Sequence, residues 1–175
     1  MNNIILLIGA SGSGKTTLGK ELEKWLIPQL ISYTTRPIRA GEKQDVDYYF
    51  VDNEFLSSLR SSDVIEKTTY DNNEYGLFRI EVENKLKDSD VYFVCNKDGA
   101  EQIIEQYPDK TRAYWFKMDE ETIRERLEFR GDSTVSINNR ITHAYQEDEF
   151  SPPKFSHTVL NGKDSTNKNL KEILK

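Results

Sequence analysis

The chain contains 175 residues, the size of one ordinary domain, with 30 acidic and 24 basic side chains and a net charge of −6. This acidity argues against a dedicated nucleic-acid binder and against attachment to an anionic membrane surface by overall charge. The single cysteine, Cys95, excludes an intramolecular disulfide. The sequence also shows no apolar run long enough to cross a membrane and no basic leader, so we expect a reducing, cytoplasmic setting.

The N-terminal segment predicts a strand, a glycine-rich loop and a helix. The apolar run 3–8 is typical of a strand that is buried on both faces. The helical spacing of Leu18, Leu22 and Trp25 predicts a helix over 16–25. We expect Trp25 to pack against the core as part of its apolar face.

The loop at 9–16 reads Gly-Ala-Ser-Gly-Ser-Gly-Lys-Thr and fits the pattern G-x-x-x-x-G-K-[ST]. Its glycines allow backbone N–H groups to wrap around a polyphosphate, and the N-terminus of the next helix adds its dipole. Lys15 would place a cation between the β- and γ-phosphates, and the Thr16 hydroxyl would lie in the Mg²⁺ shell. A glycine-rich turn with a chance lysine is the alternative, which the flanking strand and helix disfavour.

Between Ser32 and Gly76 the pattern of long apolar strands and helices gives way to shorter segments. Short aromatic and β-branched pieces at 47–51 and 64–70 predict a small antiparallel insertion.

Two arginines, Arg36 and Arg39, lie three residues apart in an irregular, hydroxyl-rich part of this insertion. Guanidinium groups suit a phosphate monoester because each can bond two oxygens, and the phenol of Tyr48 could add a donor. A solvated loop with ordinary surface arginines is equally compatible with these residues alone.

The rest of the chain continues an α/β pattern. Strands are predicted at 90–95, 112–118 and 157–160, and helices at 100–107, 119–130, 133–147 and 167–174. Cys95 and Trp115 lie in apolar contexts and are predicted to pack in the core. His143 and His157 have no partner at ligand spacing and receive no metal or catalytic role.

Several motifs together resemble the guanylate kinase family. They are the glycine loop, S-Y-T-T-R-P-I-R-A-G-E at 32–42 and D-V-D-Y-Y-F at 45–50. Ile65-Glu66 stands nine residues before Tyr75-Gly76, as the corresponding family motifs do. Later matches, in the family's order, are Arg126-Leu127, Arg130-Gly131, Arg140, the A-x-x-E of 144–147 and Val159-Leu160-Asn161.

The resemblance implies a three-layer α/β fold of the P-loop NTPase type, with a parallel core sheet, a small nucleotide-monophosphate-binding insertion and a helical lid. In this single domain, 1–175, the core would comprise 1–31, 81–123 and 146–175, the monophosphate-binding subdomain about 32–80 and the lid about 124–145. The implied reaction is Mg²⁺-assisted in-line transfer of a phosphoryl group from ATP to GMP or dGMP, without a covalent enzyme intermediate. These nucleotides would be the partners, and no feature of the sequence indicates an oligomeric state.

The resemblance also implies roles for individual residues. The ATP site would contain Gly9, Ala10, Ser11, Gly12, Ser13, Gly14, Lys15, Thr16, Thr17 and Asn161, with Thr16 as the metal ligand. The GMP site would contain Ser32, Arg36, Arg39, Tyr48, Glu66, Tyr75 and Asn96, with the arginines and tyrosines on the phosphate and Glu66 facing the base. The catalytic residues would be Lys15, Arg126, Arg130 and Arg140, which gather around the phosphates as the lid closes.

Three positions depart from the family pattern. Leu77 replaces a small hydroxyl residue, while Val94 and Asn96 replace two acidic residues, one that helps to read the nucleotide and one that acts near Mg²⁺. Asp98, just beyond the strand, could partly substitute. These changes keep open a kinase for another nucleoside monophosphate or a small phosphate ester. A non-catalytic guanylate-kinase-like interaction module is a further alternative, which the intact glycine loop disfavours.

Overall fold

Eight strands and seven helices build the part of the chain that the structure, a computed structural model, describes: residues 2–70 and 72–175. The strands are β1 (Ile4–Ile8), β2 (Tyr33–Thr34), β3 (Tyr49–Phe50), β4 (Val64–Tyr70), β5 (Asn73–Phe78), β6 (Val91–Cys95), β7 (Thr111–Lys117) and β8 (Thr158–Asn161). The helices are α1 (Lys15–Glu23), α2 (Asn53–Ser58), α3 (Arg79–Asp88), α4 (Lys97–Gln106), α5 (Glu120–Phe129), α6 (Thr134–Gln146) and α7 (Thr166–Ile173). A 3₁₀ turn at Ser61–Asp63 precedes β4.

The core sheet is parallel and has the strand order β6–β1–β7–β8. Every residue of β1 is buried: Ile4, Leu6 and Ile8 contribute to one apolar cluster, and Ile5 and Leu7 contribute to the other. A strand covered on both faces needs such a continuous apolar run. The predicted α/β fold with a parallel core sheet is confirmed.

Helices cover both faces of this sheet. On one face, α1 and α7 place Leu18, Leu22 and Leu170 in the apolar cluster that contains Leu7. On the other face, α3 and α4 contribute to the cluster that contains Leu6. The resulting three layers leave the carboxyl ends of the core strands open at one edge, where ligands of open α/β sheets bind.

A second, smaller sheet has the strand order β3–β2–β5–β4. β5 runs antiparallel to both β2 and β4, as expected for the insertion, whereas β2 and β3 pair in parallel. Gly76 permits the tight packing of this sheet, because a Cβ there would lie 2.5 Å from the Tyr33 ring.

Two further features differ from the sequence prediction. The helices α2 and α3 were not predicted. Trp25 does not pack in the core: its side chain is 61% exposed, so that prediction is wrong. The reason is that α1 ends at Glu23, and the chain then turns through Leu26, which has a φ of 62°. Trp115, by contrast, is buried as predicted.

Within the described residues, none of the helices combines the length and the apolar character that crossing a membrane requires.

Candidate active site

A cleft of about 920 Å³ opens at the carboxyl ends of the core strands and extends to the second sheet. The predicted site residues that line it are Gly9, Ser11, Gly12, Ser13, Gly14, Lys15, Thr16, Thr17, Ser32, Arg36, Arg39, Tyr48, Glu66, Tyr75, Asn96, Arg126, Arg130 and Arg140. Two predicted residues do not line it: Ala10 is buried in an apolar cluster with Ile123 and Leu127, and Asn161 is exposed beside the lining residue Gly162. The fold therefore brings residues from both ends of the chain to one place.

The glycine loop connects β1 to α1 with backbone conformations that other residues rarely adopt. Gly14, the residue before α1, has a φ of 106°. Gly9 has a φ of 147°, and a Cβ there would lie 3.1 Å from the carbonyl oxygen of Phe116. Glycine at these two positions is thus required for the loop to take this shape.

The loop itself holds the Lys15 ammonium group inside the cleft. Nζ donates hydrogen bonds to the carbonyl oxygens of Gly9 at 2.5 Å and of Ala10 at 2.8 Å. Burial lowers the pKa of Lys15 to about 8, and the charge of Glu149 opposes this shift. At neutral pH most molecules therefore keep a cation at this point.

Two predicted catalytic arginines contact the loop directly. Arg126 donates through Nη1 to the carbonyl oxygen of Gly12 at 3.2 Å and through Nη2 to that of Gly162 at 2.8 Å. Arg140 donates through Nη1 to Ser11 Oγ at 3.0 Å. Both guanidinium groups consequently lie beside the segment that would wrap the phosphates.

Arg130 is instead paired with Asp132. Its Nε donates to Asp132 Oδ1 at 2.9 Å, and its Nη2 bonds the other carboxylate oxygen. This pairing raises the pKa of Arg130 and lowers that of Asp132. Arg140 Nε also lies 3.4 Å from the same carboxylate. Arg130 would have to leave Asp132 to reach a phosphate, so its place around the phosphates stays a prediction.

The far end of the cleft contains a second group of cations. Arg36 is buried and donates through Nη2 to both oxygens of Glu42, at 2.7 and 3.0 Å. Its guanidinium carbon lies 5.5 Å from the centre of the Tyr48 ring. Arg39 is exposed, and within the described ranges its guanidinium group forms neither a hydrogen bond nor an ion pair. The two arginines differ accordingly: one is fixed, and the other is free to meet a ligand.

Glu66 is a buried carboxylate that lines the same cleft. Its side chain is only 4% exposed, and it forms no hydrogen bond or ion pair with any described residue. Burial raises its pKa from 4.5 to about 7. A carboxylate in such a position is costly unless a ligand supplies donors.

The protein-family model for guanylate kinase matches residues 1–175, the whole chain. The chain belongs to the guanylate kinase family. Guanylate kinase of Legionella pneumophila (strain Paris) is 35% identical over 164 residues, which cover 91% of this chain and 78% of the relative. Guanylate kinase of Helicobacter pylori is 35% identical over 151 residues, which cover 83% and 73%.

The fold is also that of a solved guanylate kinase. The crystal structure of guanylate kinase from Anaplasma phagocytophilum gives a TM-score of 0.66 at 24% identity, over 99% of this chain and 82% of that chain. This likeness concerns the fold alone.

One departure from the guanylate kinase pattern has a structural reason. Leu77 lies opposite Glu66 in the β4–β5 pairing and is fully buried in the core cluster, so it packs rather than facing a ligand. Thr68, opposite Tyr75 on the same strand pair, lines the cleft and offers a hydroxyl group there. Sequence reasoning missed Thr68, and only the strand register reveals it.

Other cleft residues were also missed. Glu149 and His143 both line the cleft near the glycine loop, and Cys95 does so while also packing against the core. Glu147 also lines the cleft, and this residue is the glutamate of the A-x-x-E motif that the sequence analysis matched to the family. No sequence pattern pointed to Glu149, because its position depends on how the segment after α6 folds back.

Replacing Glu66 by glutamine should stabilise the protein at alkaline pH. Because the folded pKa is raised, the contribution of Glu66 is fully present below pH 4.5 and is lost as the pH rises through about 7. A shift of this size corresponds to about 3 kcal/mol. Relative to the unmutated protein, the free energy of unfolding of Glu66→Gln should increase by about this amount between acidic pH and about pH 8. Urea titrations across this range measure it; a pH-independent difference would contradict the burial of an ionisable Glu66.

Proposed function

We propose that the protein transfers the terminal phosphoryl group of ATP to GMP or dGMP, giving ADP and GDP or dGDP. The observation that carries the proposal is the joining, in one cleft, of a glycine loop with its lysine and a separate arginine group beside a buried carboxylate. Two cationic sites in one cleft suit a reaction between two phosphate-bearing substrates. Membership in the guanylate kinase family supports the same assignment.

The donor phosphates are assigned to the loop between β1 and α1. Its backbone N–H groups and the N-terminus of α1 attract anions, and Lys15 would neutralise charge that develops between the β- and γ-phosphates. Arg126 and Arg140, already beside Gly12 and Ser11, would add charge as the transfer proceeds. No nucleophilic side chain is required, because the acceptor phosphate attacks directly.

The donor set fits a Mg²⁺ ion that arrives with ATP. Magnesium is commonly held by one or two protein oxygens together with substrate phosphates and water. The Thr16 hydroxyl at the start of α1 lines the cleft and would supply one such oxygen. Across residues 2–70 and 72–175, no group of three acidic, histidine or cysteine side chains could hold the ion by itself. When bound, the ion would offset negative charge on the transferred phosphoryl group.

The acceptor monophosphate is assigned to the second arginine group. Arg36 would present its guanidinium from a fixed position, while Arg39 would close on the phosphate from the exposed side. The phenols of Tyr48 and Tyr75, whose ring centres lie 6.0 Å apart, would donate further hydrogen bonds. The Glu66 carboxylate would accept hydrogen bonds from N–H groups of the base.

A panel of nucleoside monophosphates tests the proposal. ADP release with ATP and Mg²⁺ should be fast with GMP and dGMP and slow with CMP and UMP. A reaction without any monophosphate measures the background ATP hydrolysis. If no monophosphate accelerates ADP release above this background, the proposed activity is wrong.

Replacing Arg39 by alanine should raise the KM for GMP about ten- to a hundredfold and leave the KM for ATP nearly unchanged, because one charge-assisted bond to the phosphate is lost. Arg36→Ala should act in the same direction and also leave Glu42 without its ion-pair partner. Initial rates at varied GMP and fixed ATP measure the effect.

The exposed Arg60, which pairs with Asp63 outside the cleft, provides the matched control Arg60→Ala. Unaltered GMP kinetics in both cleft variants would refute the acceptor-phosphate assignment.

A further inference from the structure

The turn between α5 and α6 places an acidic residue, Asp132, beside two of the predicted catalytic arginines. The turn closes α5 with two backbone hydrogen bonds, from Gly131 N–H to the carbonyl oxygen of Glu128 and from Asp132 N–H to that of Leu127. With a φ of 89° at Gly131, these bonds form a Schellman C-cap. The backbone of Asp132 is therefore fixed by the turn and does not depend on what its side chain contacts.

One oxygen of the Asp132 carboxylate is shared by the two arginines. Arg130 bonds the carboxylate through Nε and Nη2, and the Nη2 bond goes to Oδ2. Arg140 Nε, a buried atom without a hydrogen bond to any described residue, lies 3.4 Å from the same Oδ2. The Asp132 side chain is 16% exposed and does not line the cleft, whereas both arginines do. The carboxylate can therefore act on a bound phosphate only through the arginines.

The two arginines are held to different degrees. Arg140 has a second anchor, because it also donates to Ser11 Oγ in the glycine loop. The guanidinium group of Arg130 has no partner other than Asp132 among the described residues, and its side chain is 52% exposed. If Arg130 leaves, the Asp132 carboxylate still has the Arg140 cation beside it, so no unpaired charge remains. Arg130 is thus the arginine that can move.

We propose that Asp132 is a positioning residue, which holds Arg130 at the cleft in the nucleotide-free protein and exchanges it with the phosphates of ATP. The carboxylate offsets the repulsion between the two neighbouring guanidinium groups. ATP has to compete with it for Arg130, so Asp132 weakens nucleotide binding and favours release. This inference rests on the proposed function, since it concerns arginines around the donor phosphates.

The variant Asp132→Asn removes the charge at nearly constant size. An amide holds Arg130 less strongly than a carboxylate, because the hydrogen bonds lose the charge on their acceptor. We expect the Kd for a non-hydrolysable ATP analogue with Mg²⁺ to fall about tenfold. The KM for ATP should fall with it, while kcat does not rise and the KM for GMP is unchanged. Isothermal titration calorimetry and initial rates measure these values.

The variant Arg130→Ala shows whether Asp132 acts through Arg130. If it does, Asp132→Asn should change the Kd far less in the Arg130→Ala background than in the unmutated one. An equal change in both backgrounds would assign the effect to the general field of the carboxylate and would overturn the exchange.

Glu128→Gln provides the matched control. Glu128 is an exposed residue of α5 outside the cleft, and the loss of one negative charge there should leave the Kd unaltered. Unchanged or weaker binding in Asp132→Asn overturns the inference. Loss of its cooperative thermal unfolding transition does so as well, because the role of Asp132 would then be purely structural.

The inference and the proposed function fail separately. Turnover of GMP together with an unchanged Kd in Asp132→Asn overturns this inference and leaves the proposed function standing. Absence of turnover with every monophosphate overturns the proposed function and this inference with it.

Discussion

Replacement of Lys15 by alanine is expected to lower kcat by roughly a thousandfold, because a preorganised cation is removed from the point where charge develops on the transferred phosphoryl group. The fold should survive. Among the described residues, the hydrogen-bond partners of Lys15 Nζ are carbonyl and hydroxyl oxygens of the glycine loop itself, and no carboxylate loses an ion-pair partner when the ammonium group is removed.

Rates of ADP release at saturating ATP and GMP measure this effect, and circular dichroism melting curves check the fold. Lys20→Ala is the matched control, because Lys20 lies on the same helix, is exposed and does not line the cleft. If Lys15→Ala is folded and turns over at the rate of the unmutated protein, the loop does not hold the donor phosphates.

The strand, loop and helix at the N-terminus could be predicted because their signals are local. Every residue from Ile4 to Ile8 is apolar, and the glycines cluster at the following turn. The starts of α5 and α6 were equally visible, since Asp119 and Ser133 each accept a hydrogen bond from a backbone N–H of the first helical turn.

The helix α3 could not be predicted in the same way. One of its inward positions is Glu81, whose carboxylate accepts from the backbone N–H of Ile31 and from the hydroxyl of Tyr49, both at 2.9 Å. A buried charged residue interrupts the apolar period that predicts a helix. These two partners lie far away in the chain, and only the ion pair with Lys85, four residues on at 2.6 Å, is local. The local sequence therefore does not show that Glu81 is buried.

In the candidate site, too, some residues could be predicted from sequence motifs and others could not. Lys15 and Arg36 could be assigned to one site because each lies in a motif whose residues and spacing match the family pattern. By contrast, the presence of Thr68 and Glu149 in the cleft depends on the register of β4 with β5 and on how the segment after α6 folds back, which no local pattern indicates.

The base preference should depend most strongly on Glu66. Guanine presents N1–H and the 2-amino group, from which a carboxylate can accept, whereas adenine presents a lone pair at N1 that would face the negative charge. A buried site built for donors can reject the wrong base by up to roughly 10⁴-fold, because its groups are left unpaired. We expect GMP to exceed AMP in kcat/KM, by less than this limit because Leu77 and Asn96 provide no further acceptor.

Glu66→Ala should lower kcat/KM for GMP far more than for AMP, since only GMP uses the carboxylate. Glu66→Gln provides a sharper comparison at nearly constant volume. Its amide can donate to adenine N1 and accept from the 6-amino group, so AMP should improve in absolute terms while GMP becomes a poorer substrate. Kinetics with both nucleotides at fixed ATP measure this reversal. Equal kcat/KM for GMP and AMP in the unmutated protein at about pH 8, above the raised pKa of Glu66, would contradict its role even if both were phosphorylated, because an ionised carboxylate accepts from a donor and repels a lone pair.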